Sequence, residues 1–146
     1  MAIHGGAMVI LKSGLKAYAR VCAVSLGGIL LTVCAHAATP AELLAGFVAQ
    51  SGQAAQPARG QDFFTNKHGK DWSCASCHTV TPTGEGKHAS TGKVISAMAP
   101  AFNPERFTEL AKSEKWFRRN CNDVVGRECT ATEKADVLAW LLSLKR

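Results

Sequence analysis

From Pro40 onward the apolar positions recur at three- and four-residue intervals, not at every second residue, so the pattern predicts helices joined by loops. PAELLAGFVAQ, starting at Pro40, reads as a short first helix, and PARGQDFFTNK, starting at Pro57, as a second. Each carries proline in its first turn, where the missing N–H has no intrahelical partner to lose. The span from Thr79 to Lys93 is rich in glycine, threonine and lysine and too polar for a core, which makes it a surface loop. Asn103-Pro104 is a cap followed by a first-turn proline and opens ERFTELAKSEKWFRR, in one helix or in two with Ser113 capping the later part. Thr130-Ala131-Thr132-Glu133 is a capping box for a last helix with Val137, Leu138, Leu141 and Leu144 on its apolar side. No stretch shows strand alternation and none repeats, so the predicted fold class is all-α.

The first 37 residues have a different character. Lys12, Lys16 and Arg20 lead into the uncharged run VCAVSLGGILLTVCAHA, which ends in the small-x-small pattern Ala35-His36-Ala37. Ser25, Gly27, Gly28 and Thr32 interrupt the apolar run, which therefore suits an export signal better than a spanning helix of ~20 apolar residues. Cys34 would serve a lipoprotein anchor, but Val33 before it is bulky for such a site. Cleavage after Ala37 leaves residues 38–146 as one small periplasmic domain.

Charge then changes the picture. The formal net charge is +6, and removal of Lys12, Lys16 and Arg20 halves it. The remaining Lys and Arg are scattered without a basic stripe interleaved with aromatics, which argues against nucleic acid as a partner. A few short helices make a thin core, and such domains usually carry a covalent or metal staple.

CASCH, residues 74–78, offers one. Cys-x-x-Cys-His is the attachment signature of haem c, in which two thiols bond the porphyrin and the adjacent histidine reaches the iron. A zinc site would need a second ligand pair at suitable spacing, and a thioredoxin-like pair would need a strand-to-helix context. Cys74 and Cys77 are therefore the candidate attachment residues and His78 the fifth ligand. Gly60 and Phe64 fit the small-plus-aromatic pair with which a cytochrome c fold crosses its first and last helices, with Trp140 as the C-terminal partner.

The sixth iron position is open on residues alone. Met98 brings a soft thioether suited to Fe(II), but it precedes the helix that the usual methionine follows. His68 and His88 stand in polar loops. Asn120 occupies the topologically expected place before the last helix and shares a helix face with Trp116, four residues earlier, which would wall the pocket.

The segment EKWFRRNCNDVVGRECTATEKADVLAWL, with CASCH upstream and NPERFTE between, resembles the sphaeroides haem protein family of bacterial cytochromes c. The resemblance covers most of the chain from Pro40 on. It implies a class I cytochrome c fold around one covalent haem c, Asn120 as the sixth ligand, and a disulfide joining Cys121 to Cys129. It further implies an electron-transfer role in which the reduced protein binds O2, NO or a similar small diatomic, with a dihaem cytochrome c or a membrane b-type cytochrome as redox partner. An amide oxygen is a hard, weak donor, adequate for Fe(III) and poor for Fe(II), so reduction is expected to release Asn120. The rival reading is a plain electron carrier ligated by Met98; no acid–base pair marks the chain as an enzyme.

Overall fold

The computed structural model describes residues 38–146; the segment read as an export signal lies outside the described residues. Helix α1 spans Pro40–Ser51 and starts with a capping box: the Glu42 N–H donates to Thr39 Oγ1 (3.2 Å) and the Thr39 N–H to Glu42 Oε2 (2.6 Å). It stops at Gly52, whose φ of 66° is left-handed and whose N–H returns to the Val48 carbonyl. Helix α2, Pro57–Thr65, follows after a short linker, and a single turn, α3, covers Ala75–His78. Helix α4 spans Leu110–Val124 and α5 spans Ala131–Ser143, the latter opened by the Thr130–Glu133 capping box. Among the described residues, no helix is long and apolar enough to cross a membrane.

The core follows from the stripes on α1, α2 and α5. Leu43 and Phe47 of α1 pack on Ala135 and Leu138 of α5, while Phe64 of α2 packs on Val137, Trp140 and Leu141. Each fully buried side chain of this size contributes about 1.5–3 kcal/mol. The α2–α5 crossing is close because Gly60 has no side chain: a Cβ there would lie 2.0 Å from the Asp136 carbonyl oxygen. One turn on, the tilted rings of Phe64 and Trp140 meet with centroids 4.9 Å apart, so the predicted trio of Gly60, Phe64 and Trp140 does meet at one crossing. The buried Asp136 carboxylate accepts from the Gln56 N–H (2.6 Å) and from Arg59, fastening the α1–α2 linker to α5. Helix α4 joins through Phe117, whose ring meets Phe47 edge-on at 5.7 Å, and through Glu114, which pairs with Lys134 of α5.

Two loops differ from the pattern-based expectation. The polar span after His78 contains a two-residue antiparallel ladder, β1 (Gly86–Lys87) with β2 (Val94–Ile95) in the register Gly86 to Ile95. A ladder so short has no periodicity to read, and it is held by backbone contact: a Cβ on Gly86 would lie 2.0 Å from the Cys77 carbonyl oxygen. The second difference is at Asn103-Pro104, which opens a turn and not the long helix. Asn103 does cap, accepting from the Glu105 N–H at 3.3 Å, but the chain breaks at Phe107, whose φ is 59°. That left-handed residue turns its ring onto Phe117 and both core clusters, so burial of an aromatic side chain overrides helical continuity. Helix α4 therefore starts at Leu110 after Glu109, and Ser113 is a buried residue inside it, not a cap.

Candidate haem centre

One cavity of about 890 Å³ lies between α2, the Trp72–His78 segment, the β-hairpin and α4, with its floor against α5. Phe63, Phe64, Phe107, Phe117, Val137 and Leu141 give it apolar walls. Cys74, Cys77, His78, Trp116, Asn120, Cys121 and Cys129 all border it, as do Met98 and His88. The chain thus brings Cys74, Cys77, His78 and Asn120 to one space, together with the rival candidates Met98 and His88. His68 is not among them: its Nε2 lies 2.7 Å from the Phe63 carbonyl oxygen and its ring lies 4.4 Å from that of Phe63.

The attachment segment is shaped by the single turn α3. Its i, i+3 spacing puts Cys74 and Cys77 on one side, and the His78 N–H donates to the Cys74 carbonyl at 3.1 Å. Both thiols are free and half-buried. Burial, with a smaller contribution from Cys77, pushes the Cys74 thiol up to about 11. His78 is pushed down to about 4, first by burial and then by the nearby charges of Arg106 and His88. Its imidazole is therefore neutral at ordinary pH, which leaves a ring nitrogen free to act as a metal donor. Directly after it Thr79 has a φ of 68°, and this sharp reversal takes the chain away from the cavity. The hairpin then folds back, with the Ala89 N–H donating to Cys77 Sγ at 3.3 Å.

Helix α4 supplies the other wall. Ser113, Trp116, Phe117, Asn120, Cys121 and Val124 follow the i, i+3, i+4, i+7 rule and form one stripe along the cavity. Asn120 is half-buried, and its side-chain amide has no hydrogen-bond partner among the described residues. Next to it Cys121 is bonded to Cys129, with Cα atoms 5.6 Å apart, so the bridge ties the last turn of α4 to the residue before the cap of α5. Met98 takes a different position. Its N–H donates to the Pro82 carbonyl at 3.0 Å, and its side chain packs against the cluster of Phe64, Val137, Trp140 and Leu141.

Arg106 escaped sequence reading. Its guanidinium donates to the carbonyls of Ala97 (3.0 Å) and Ser96 (2.7 Å) at the cavity edge, and partial burial lowers its proton affinity. One arginine in a polar run carries no periodic or motif signal. Ser113 was readable only as a cap, because its hydroxyl is the sort of group that starts helices.

The residues fit a covalent haem. Two thiols one helical turn apart, a neutral imidazole beside them, a side-chain amide from another element on the same space and apolar walls around this volume are parts that suit such a group. The comparisons agree. Residues 50–141 match the family model described as a domain of unknown function, DUF1924. The chain is 48% identical over 107 residues to the cytochrome c-type protein SHP of Cereibacter sphaeroides, covering 70% of this chain and 82% of that protein. It is 44% identical over 88 residues to cytochrome c'' of Methylophilus methylotrophus, covering 58% of this chain and 61% of the relative. Among solved structures, oxidised SHP, described as an oxygen-binding cytochrome c, superposes with a TM-score of 0.69 at 45% identity, over 73% of this chain and 98% of that one. Oxidised cytochrome c'' gives 0.66 at 37% identity, over 73% and 95%. The fold, the cavity and these likenesses converge on one assignment: the chain belongs to the SHP-like family of c-type cytochromes, helical proteins built around one covalently attached haem c.

Proposed function

We propose that the chain is a periplasmic monohaem cytochrome that transfers electrons and switches a protein ligand with redox state. Cys74 and Cys77 hold the haem, His78 is the fifth ligand, and Asn120 is the sixth in the ferric protein only. When bound, the haem would supply a one-electron Fe(III)/Fe(II) couple and one exchangeable coordination site. Asn120 offers a hard, neutral amide oxygen that suits Fe(III) and is mismatched to Fe(II), so reduction frees it to leave. Trp116, one turn earlier on the same stripe, bounds the space into which a small diatomic such as O2 or NO would come. The Cys121–Cys129 bridge limits how far the released amide can travel. The export reading of residues 1–37 and a cytochrome partner, dihaem c-type or membrane b-type, complete the proposal.

The observation that carries it is the place of Asn120 on the cavity stripe of α4, beside the bridge and bordering the same space as His78. The likeness to a protein described as an oxygen-binding cytochrome c supports the gas-binding half. Two single variants test the ligand set. Asn120→Ala should convert the ferric absorption spectrum from low-spin to high-spin or water-ligated while leaving ferrous CO binding within about twofold. Met98→Leu should change neither state. The reverse pattern, a silent Asn120→Ala with a high-spin ferrous Met98→Leu, would identify an ordinary Met98-ligated electron carrier.

A further inference from the structure

The short linker between α2 and the attachment segment, residues 66–73, contains two side chains that the ligand set does not use. His68 is pinned back onto α2, with Nε2 2.7 Å from the Phe63 carbonyl oxygen and its ring on Phe63. Gly69 follows with a φ of 80°, a left-handed turn that favours glycine and redirects the chain. Lys70 then reaches out from this anchored turn, and its Nζ donates to the Asn122 carbonyl oxygen at 3.3 Å. Its stem lies over Gly126, where a Cβ would come within 3.1 Å of Lys70 Cε. Gly126 has a φ of 81° and sits inside the loop closed by Cys121 and Cys129.

The target of this contact is a weak point of α4. The last carbonyls of a helix lack intrahelical donors, and here both the Val125 and the Gly126 N–H turn back to the Cys121 carbonyl, at 2.7 and 3.1 Å. The helix carries no basic side chain in its own last turn. Lys70 supplies from elsewhere in the chain what such a terminus lacks: a donor for the Asn122 carbonyl and a positive charge near the negative end of the helix dipole. It stands four residues before Cys74 on one side of the contact and meets the residue two beyond Asn120 on the other.

We infer that Lys70 is a positioning residue for Asn120, a strap that ties the haem-attachment segment to the end of α4 and holds the amide in its ferric place. This rests on the reading of Asn120 as the ferric ligand. The disulfide ties the end of α4 to the start of α5, and the Lys70 contact ties it to the segment that bears Cys74 and Cys77.

The test uses the full holoprotein and imidazole as an external ligand for ferric iron, read by absorption spectroscopy. An external ligand must displace Asn120, so its apparent affinity rises in proportion to the fraction of protein in which the amide has already let go. Lys70→Met keeps the stem and removes the donor and charge, and one charge-assisted contact at a helix end is worth a change of about fivefold. Lys70→Met should raise imidazole affinity by about that factor, and Lys70→Arg should restore the wild-type value. Asn120→Ala should raise it much further, and adding Lys70→Met to Asn120→Ala should change nothing more. An effect of Lys70→Met that persists undiminished in the Asn120→Ala background, or no effect while Asn120→Ala does respond, overturns the strap and leaves the ligand reading standing. A silent Asn120→Ala overturns both.

Discussion

Replacing Cys121 and Cys129 together by alanine probes the constraint that the account places beside the ligand. The bridge closes a loop of sequence separation 8, for which the chain-entropy relation gives about 2.5 kcal/mol of stabilisation through the unfolded state. Both cysteines are buried, so loss of their sulfur atoms adds on the order of 1 kcal/mol in packing. The double variant of the holoprotein should therefore be about 3 kcal/mol less stable in guanidinium chloride unfolding followed by circular dichroism. The unfolded chain would also be less restricted, so the denaturant slope should rise slightly and not fall. The ferric spectrum of the folded variant should keep a low-spin component, because Lys70 and the α4 stripe still hold Asn120 near the cavity. A loss below about 1 kcal/mol would refute the reasoning, since it would mean that the loop is already ordered without its bridge.

Further outcomes follow from other contacts. Gly60→Ala should cost about 2 kcal/mol or more in thermal or denaturant unfolding despite a gain of about 1 kcal/mol in helix propensity, because its Cβ would sit 2.0 Å from the Asp136 carbonyl oxygen. Burial pushes the Glu133 carboxyl up, but Arg127 and the Thr130 cap pull it further down, leaving it below its usual range. The unfolded chain then takes up that proton first as the pH falls, so the stabilisation is present above the ordinary carboxylate range and is lost on descending through it. Glu133→Gln keeps a capping-box acceptor but loses the charge paired with Arg127, so it should cost about 0.5 kcal/mol at neutral pH and should flatten the acid limb of the stability profile measured by thermal melts. Mass spectrometry of exported protein should show residues 38–146 plus one haem, and thiol labelling of the unfolded, unreduced holoprotein should find no free cysteine; an apo mass would contradict the attachment reading.

How far the sequence could be read depends on what kind of force set each feature. Thr130 and the prolines at 40 and 57 act through their own local backbone, so the starts of α1, α2 and α5 were legible. Gly60, Phe64 and Trp140 were legible because a close helix crossing demands a missing side chain and a neighbouring ring. CASCH was legible because covalent attachment needs two thiols at fixed spacing. The late start of α4 was not, because Phe107 leaves the helical region only to bury a ring against Phe117, a contact decided by tertiary packing. Neither was the Lys70 strap, whose partner is 52 residues away and is a backbone carbonyl without residue identity. The Cys121–Cys129 pairing came from resemblance and not from spacing, and the bonded pair in the structure agrees with it.

The central claim, that Asn120 ligates ferric iron and departs on reduction, meets its most direct test in resonance Raman spectra of the wild-type holoprotein recorded before and after dithionite addition. The expected result is a six-coordinate low-spin marker pattern in the ferric protein and a five-coordinate high-spin pattern in the ferrous protein, reverting fully on reoxidation. A ferrous protein that stays six-coordinate and low-spin would contradict it, because an amide oxygen is too hard a donor to hold Fe(II) in that state and a soft ligand such as Met98 would have to be in place.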